Sequence, residues 1–169
     1  PCRLPAGLQS DPFLKQVTST TAEAGARWQP GADQRLSLSL YRTRNRDDIL
    51  FGSVSATGQL GYFQNFPGTR HQGWDAEWQA KHGPLTLQAS YSRLDATYDA
   101  RGTLRIGERN VAVAPGMHIA GLPRHTVKLG ADWRAAASLS FGGDWQWVSR
   151  RGVLGNEDGQ TADDPAQRE

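Results

Sequence analysis

Apolar and polar residues alternate with a period of two in six separate stretches of the chain. In 20–28, Thr20, Ala22, Ala24, Ala26 and Trp28 fall on one side, and Glu23, Gly25 and Arg27 on the other. In 35–43, Leu36, Leu38 and Leu40 oppose Arg35, Ser37, Ser39 and Tyr41. In 72–80, Trp74, Ala76, Trp78 and Ala80 oppose Gly73, Asp75, Glu77 and Gln79. In 85–92, Leu85, Leu87, Ala89 and Tyr91 oppose Thr86, Gln88, Ser90 and Ser92. In 126–134, Val127, Leu129, Ala131 and Trp133 oppose Lys128, Gly130, Asp132 and Arg134. In 138–147, Leu139, Phe141, Trp145 and Trp147 oppose Ser140, Gly142, Asp144 and Gln146. A period of two predicts β-strands with one apolar and one polar face. The runs approach the roughly 9–11 residues that a tilted strand needs to cross a bilayer. Strands of soluble proteins are nearer 5–6 residues, about half that length.

The connections alternate in length. Pro30-Gly31-Ala32-Asp33, Lys81-His82-Gly83-Pro84 and Ala135-Ala136-Ala137 are short, whereas Asn45 to Arg70, Asp95 to Pro123 and the stretch after Arg150 are long. Outer-membrane barrels have short periplasmic turns and extended extracellular loops, and a soluble sandwich has no reason to sort its loops this way. Within the long connections, Ile49-Leu50-Phe51 and Leu60 to Phe66 predict strand extensions rising above the membrane as a hairpin, with Ala56-Thr57-Gly58 near its tip. A smaller hairpin is predicted from Thr103 to Val113.

Composition changes the picture little. The 169 residues suffice for one ordinary domain, are 37% hydrophobic, and have a mean hydropathy of −0.61. No window reaches the ~20 apolar residues of a membrane helix, but alternating barrel strands average out as polar. Neither a charged n-region nor an apolar h-region opens the chain, so it is expected either to be cytosolic or to lack its front. The net charge of +2 comes from scattered basic residues, not the stripe that nucleic-acid binding needs. Cys2 is the single cysteine, either a neutral leftover or half of a disulfide whose partner lies upstream.

The aromatic residues add an independent indication. Trp28, Trp78 and Trp133 fall on the apolar side near short turns, and Tyr91 and Trp147 on the same side toward the long loops. Rings with a polar N–H or O–H favour the two interfaces of a bilayer, so these five are the expected girdles. Glu23, Arg27, Asp75 and Glu77 then face the polar lumen, where Asp75 and Glu77 are expected to meet Arg27, Arg35 or a plug.

Several sequence words resemble those of TonB-dependent receptors. Asp11-Pro12-Phe13-Leu14-Lys15-Gln16-Val17 followed by Thr21-Ala22-Glu23-Ala24-Gly25 is similar to the approach to that family's C-terminal strands, as is Leu40-Tyr41-Arg42 before Arg46-Asp47-Asp48-Ile49. Tyr62-Phe63-Gln64-Asn65 and Thr69-Arg70-His71-Gln72-Gly73-Trp74-Asp75 resemble the return strand of its hairpin. Leu122-Pro123-Arg124-His125 resembles a loop exit into the next strand. The resemblance covers nearly the whole chain in the family's order. It implies an all-β antiparallel meander of about six long transmembrane strands, part of a barrel of about 22 strands filled by a plug domain. Residues 1–18 would be an extracellular loop or lead-in, 19–151 the barrel segment, and 152–169 a polar loop or disordered tail.

The resemblance further implies import of a ferric siderophore, cobalamin or similar bulky nutrient across the outer membrane of a Gram-negative bacterium. The expected partners are membrane lipid, the remaining barrel and plug, and an inner-membrane TonB energy-coupling complex in the full-length receptor. The chain shows no plug or coupling box, and ends at Glu169 in a polar tail where the family closes its barrel on an aromatic residue. The expectation is therefore a segment of a receptor that does not transport by itself.

No catalytic residue, cofactor or metal is expected. Asp47 and Asp48, adjacent on a strand, point to opposite faces. The four histidines lack metal-site spacing, with His71 and His125 read as loop-end surface residues. Tyr62, Phe63 and Tyr98 are the candidate ligand contacts. Two rival readings are a soluble β-sheet binding module and an outer-membrane barrel hydrolase. The hydrolase would need a His–Ser pair on a lipid face that offers alanine, leucine and tryptophan.

Overall fold

A computed structural model describes residues 13–53, 61–106 and 109–152. Cys2, the hairpin tip at Ala56-Thr57-Gly58 and the tail beyond Gly152 lie outside the described residues. The elements are β1 (Thr18–Gly31), β2 (Gln34–Ser53), β3 (Gly61–His82), β4 (Leu85–Tyr98), β5 (Gly102–Ile106), β6 (Arg109–Val113), β7 (His125–Ala136) and β8 (Leu139–Val148). Among the described residues all the regular elements are strands, and the all-β meander expected from the alternation is what forms. β1, β2, β3, β4, β7 and β8 pair in that order, every pair antiparallel, and the sheet is open.

The register decides whether the six apolar runs share a face. Trp28 pairs with Leu36, Leu36 with Trp78 and Trp78 with Ala89, which pairs with Leu129, which pairs with Trp145. A slip of one residue at any ladder would turn one run to the other side. None occurs in this part of the sheet, so one apolar surface crosses all six strands. Nothing among the described residues covers it: Trp28 remains 64% exposed, Leu40 52% and Phe141 55%.

The short turns gather at one end. Lys81 N–H donates to Asp33 C=O at 2.8 Å, and Arg134 N–H to Pro84 C=O at 2.9 Å, tying each turn to the next. Gly83 has φ +57°, the left-handed conformation of primed hairpin turns that glycine adopts without a Cβ clash.

At the other end β2 and β3 run far beyond the apolar band, to 20 and 22 residues. Their alternation changes hand at Asp47, which has φ +50° opposite Pro67. Beyond it Asp48 joins Asn45 and Thr69 on the polar side, accepting from Asn45 Nδ2 at 3.2 Å and from the Thr69 hydroxyl. Phe66, paired with Asp48, is thereby turned inward. The β5–β6 hairpin closes over this end and pairs with β2 at a parallel bridge from Ser53 to Ile106. The buried hydrophobic cluster lies here, not beneath the sheet: Phe66, Tyr98, Leu104, Val111 and Val113, with Leu50 and Met117 against them. The Phe66 and Tyr98 rings meet edge to face with centroids 5.1 Å apart. Residues 114–119 strap the hairpin to β4 through Tyr98 N–H to Met117 C=O at 2.9 Å and Ile119 N–H to Ala96 C=O at 3.0 Å.

Candidate functional site

On the polar face, Glu23, Arg27, Asp75 and Glu77 lie along one trough of about 930 Å³ with Arg35 and Ser37. Side chains two residues apart on a strand share a face, and the register brings Asp75 opposite Ser39 and Glu77 opposite Ser37. Ser37 Oγ donates to Glu77 Oε2 at 3.3 Å. No ion pair joins these carboxylates to Arg27 or Arg35 among the described residues, although all four line the same trough. A second concavity of about 730 Å³ shares Arg35, Ser37 and Glu77 with it and continues to Lys128 and Asp144. The trough is therefore lined by both signs of charge, unspent on one another and turned to the concavity. Such a surface can hydrogen-bond a polar domain or a hydrated ligand; it brings together no nucleophile and base.

The three aromatic residues expected at a ligand do not converge. Tyr98 is 2% exposed and belongs to the cap's core. Tyr62 and Phe63 are neighbours on β3, so they point to opposite faces. Tyr62 shares a face with Phe66, whereas the Phe63 ring meets Phe51 edge-on at 5.4 Å and is 45% exposed. The sequence could not reveal this, because the core that takes Tyr98 is assembled from Leu104, Val111 and Val113 in a loop.

Of the two histidines read as loop-end residues, one sits elsewhere. His71 lies in the middle of β3, not at a loop end, and its Nε2 is buried without a hydrogen-bond partner among the described residues. His125 opens β7, and its Nδ1 meets the Tyr91 hydroxyl at 2.6 Å. Asn65 makes a structural contact that sequence reasoning did not assign. Its amide brackets the backbone of Lys15, accepting from the N–H at 2.7 Å and donating to the C=O at 3.1 Å, and also donates to Asp47 C=O at 2.7 Å. A polar pair, Gln64-Asn65, inside the aromatic stretch from Tyr62 to Phe66 was the available signal.

Trp28, Trp78, Trp133, Tyr91 and Trp147 all project from the face opposite the trough. Trp133 stacks on Phe141 with centroids 6.0 Å apart, and Tyr91 tilts against Trp74 at 4.7 Å. A strand sheet with one polar, concave side and one uncovered aromatic and aliphatic side is now defined over six strands.

Comparison with protein families matches the TonB dependent receptor-like β-barrel family over residues 2–167. The chain belongs to this family. A comparison with curated proteins found no match. TonB-dependent receptor barrels are transport and receptor barrels of the Gram-negative outer membrane, which accounts for both faces of the sheet. The open sheet is part of a barrel wall.

Proposed function

We propose that the chain forms a section of the wall of an outer-membrane receptor importing a bulky, scarce nutrient of the ferric siderophore or cobalamin class. The observation that carries this reading is the single apolar face running unbroken across six strands opposite a charged trough. Lipid covers the first, with Trp28, Trp78 and Trp133 at one interface and Tyr91 and Trp147 at the other. The trough of Glu23, Arg27, Asp75 and Glu77 faces the plug and the passing ligand, and Tyr62 is the loop aromatic best placed to touch a chelate. The remaining wall, the plug and the TonB complex are partners of the full-length receptor.

The test is solubility and insertion. Without detergent the chain should aggregate, because its apolar face and its two outer strands, β1 and β8, are uncovered. In phosphatidylcholine vesicles, the receptor carrying the chain should show tryptophan emission quenched by brominated acyl chains. A monodisperse chain that unfolds cooperatively in plain buffer would instead establish the soluble binding module. For the ligand, uptake of a ferric chelate by a Tyr62→Ala receptor should fall about tenfold, the loss of one good aromatic contact. Unchanged uptake removes Tyr62 from the ligand path.

A further inference from the structure

The chain's basic residues look scattered in sequence, yet pairing gathers five arginines on the outer face. Arg42, Arg44 and Arg46 follow one another at alternate positions of β2, above Leu36, Leu38 and Leu40. Arg44 pairs directly with Arg70 on β3, and Arg93 on β4 pairs with Trp74. The belt thus begins where the apolar band ends, on the long-loop side of the Trp74–Tyr91 aromatic pair.

Like charges directly opposite across strands repel, so this arrangement costs stability unless anions offset it. Asp99 offsets part of it, lying 3.7 Å from Arg44 and 3.9 Å from Arg70. Asp95 lines the groove beside Arg93, its carboxylate taken up by Gln72 at 3.1 Å and by His118 at 2.9 Å rather than by an arginine. Arg42, Arg46 and Arg93 are exposed and make no ion pair among the described residues. Between Arg42 and Arg93 the outer face is hollowed into a groove of about 570 Å³, walled by Leu40, Gln72 and Trp74. The groove thus has an apolar wall toward the membrane and two guanidinium groups at its loop-side rim. The groove extends from β1, at Ala22 and Ala24, across β2 and β3 to β4, and a strand added beside β1 would pair edge to edge with it and leave this face open.

We infer that this outer-face belt, with Arg42 and Arg93 at its centre, binds the phosphate groups of anionic lipid in the outer leaflet. The inference rests on the membrane-barrel reading, which puts the long-loop end outside. Guanidinium groups suit phosphate because their N–H donors match its oxygens in pairs. Arginines at the height of lipid headgroups also gain from the negative surface, whereas a ligand in the lumen could not reach this side. An acyl chain would lie along Leu40 and Trp74 with its phosphate between the two arginines.

The receptor carrying this chain is inserted into phosphatidylcholine vesicles containing a minor fraction of diphosphorylated lipid A. It is then extracted into mild detergent, and the lipid A retained per receptor is measured. Wild type should retain it. Arg42→Gln, Arg46→Gln and Arg93→Gln combined should weaken retention about 100-fold, each arginine contributing about fivefold. Arg27→Gln, Arg35→Gln and Arg134→Gln combined, which remove the same charge from the lumen side, should leave it unchanged. Equal retention by wild type and the outer-face variant overturns the inference, as does a loss of equal size from the lumen-side variant. Displacement of the lipid by millimolar inorganic phosphate overturns the lipid as occupant in favour of a free anion. Insertion into pure phosphatidylcholine, read by bromolipid quenching, separates the two levels. Failure there sinks the barrel reading together with the inference, while insertion without arginine dependence sinks the inference alone.

Discussion

At Gly73, a hydrogen in place of a side chain lets the Tyr41 ring lie across the polar face of β3. A Cβ built there would stand 2.8 Å from the Tyr41 hydroxyl and would also collide with the carbonyl oxygen of Arg93. The ring can swing away, but the carbonyl belongs to the ladder and cannot. Gly73→Ala should therefore destabilise the assembled barrel by about 1–3 kcal/mol, the usual cost of overpacking. Urea midpoints in detergent micelles measure it. Adding Tyr41→Ala should recover only part of the loss, because the Arg93 clash stays; full recovery would mean that the ring alone sets the constraint. Glycine within an alternating strand signals such a close approach in sequence, but not which neighbour makes it.

Among the elements, the cap contrasts with the sheet. The six sheet strands were legible because burial on one side writes a period of two into the sequence. The upper parts of β2 and β3 were less so: above the membrane neither face must be apolar, and the parity change at Asp47 scrambles what alternation remains. The pairing of the 114–119 strap with β4 left no trace, since Met117 and Ile119 look like any loop apolars. Nor was the arginine belt visible, because it joins residues up to 51 positions apart, from Arg42 to Arg93. The cap's own core predicts independence from the wall. Leu104→Ala removes a side chain that is 4% exposed and should cost about 2–5 kcal/mol locally. Amide exchange should accelerate at β5, β6 and Tyr98 while β7 and β8 keep their protection.

The strap's link to β4 should also depend on pH. Asp95 lies on the long-loop side of the Trp74–Tyr91 pair, beyond the apolar band. Burial alone would raise its carboxyl, but hydrogen bonds from Gln72 and His118 and the charges of His118 and Arg124 outweigh that and hold it below its ordinary 3.8. A depressed carboxylate adds stability that is complete above 3.8 and is lost as pH falls through the lower folded value. Protection of the Tyr98 and Ile119 amides should thus decline as pH falls below the ordinary carboxylate value. Asp95→Asn should abolish that decline; a decline that persists assigns it to another group.

For the whole molecule, the decisive property is that one face is uncovered while the only buried core of the described residues sits at the loop end. In a soluble sheet protein, an arginine placed on an apolar face costs stability according to how that site packs. In a bilayer the cost follows depth instead: about 2–4 kcal/mol at the midplane, and about 0–1 near either interface. Leu38 and Ala76 pair with each other halfway between Trp28 and Trp74, whereas Leu85 immediately follows the Gly83–Pro84 turn. Leu38→Arg and Ala76→Arg should therefore each destabilise the inserted barrel severely, although alanine and leucine differ greatly in packing volume. Leu85→Arg, at the edge, should be nearly silent, and Ser39→Arg, one residue from Leu38 but on the lumen side, should be milder than Leu38→Arg. Unfolding free energies in phosphatidylcholine vesicles decide it. Costs that track side-chain volume, with Ala76→Arg mild and Leu85→Arg severe, would mean that protein and not lipid covers this face.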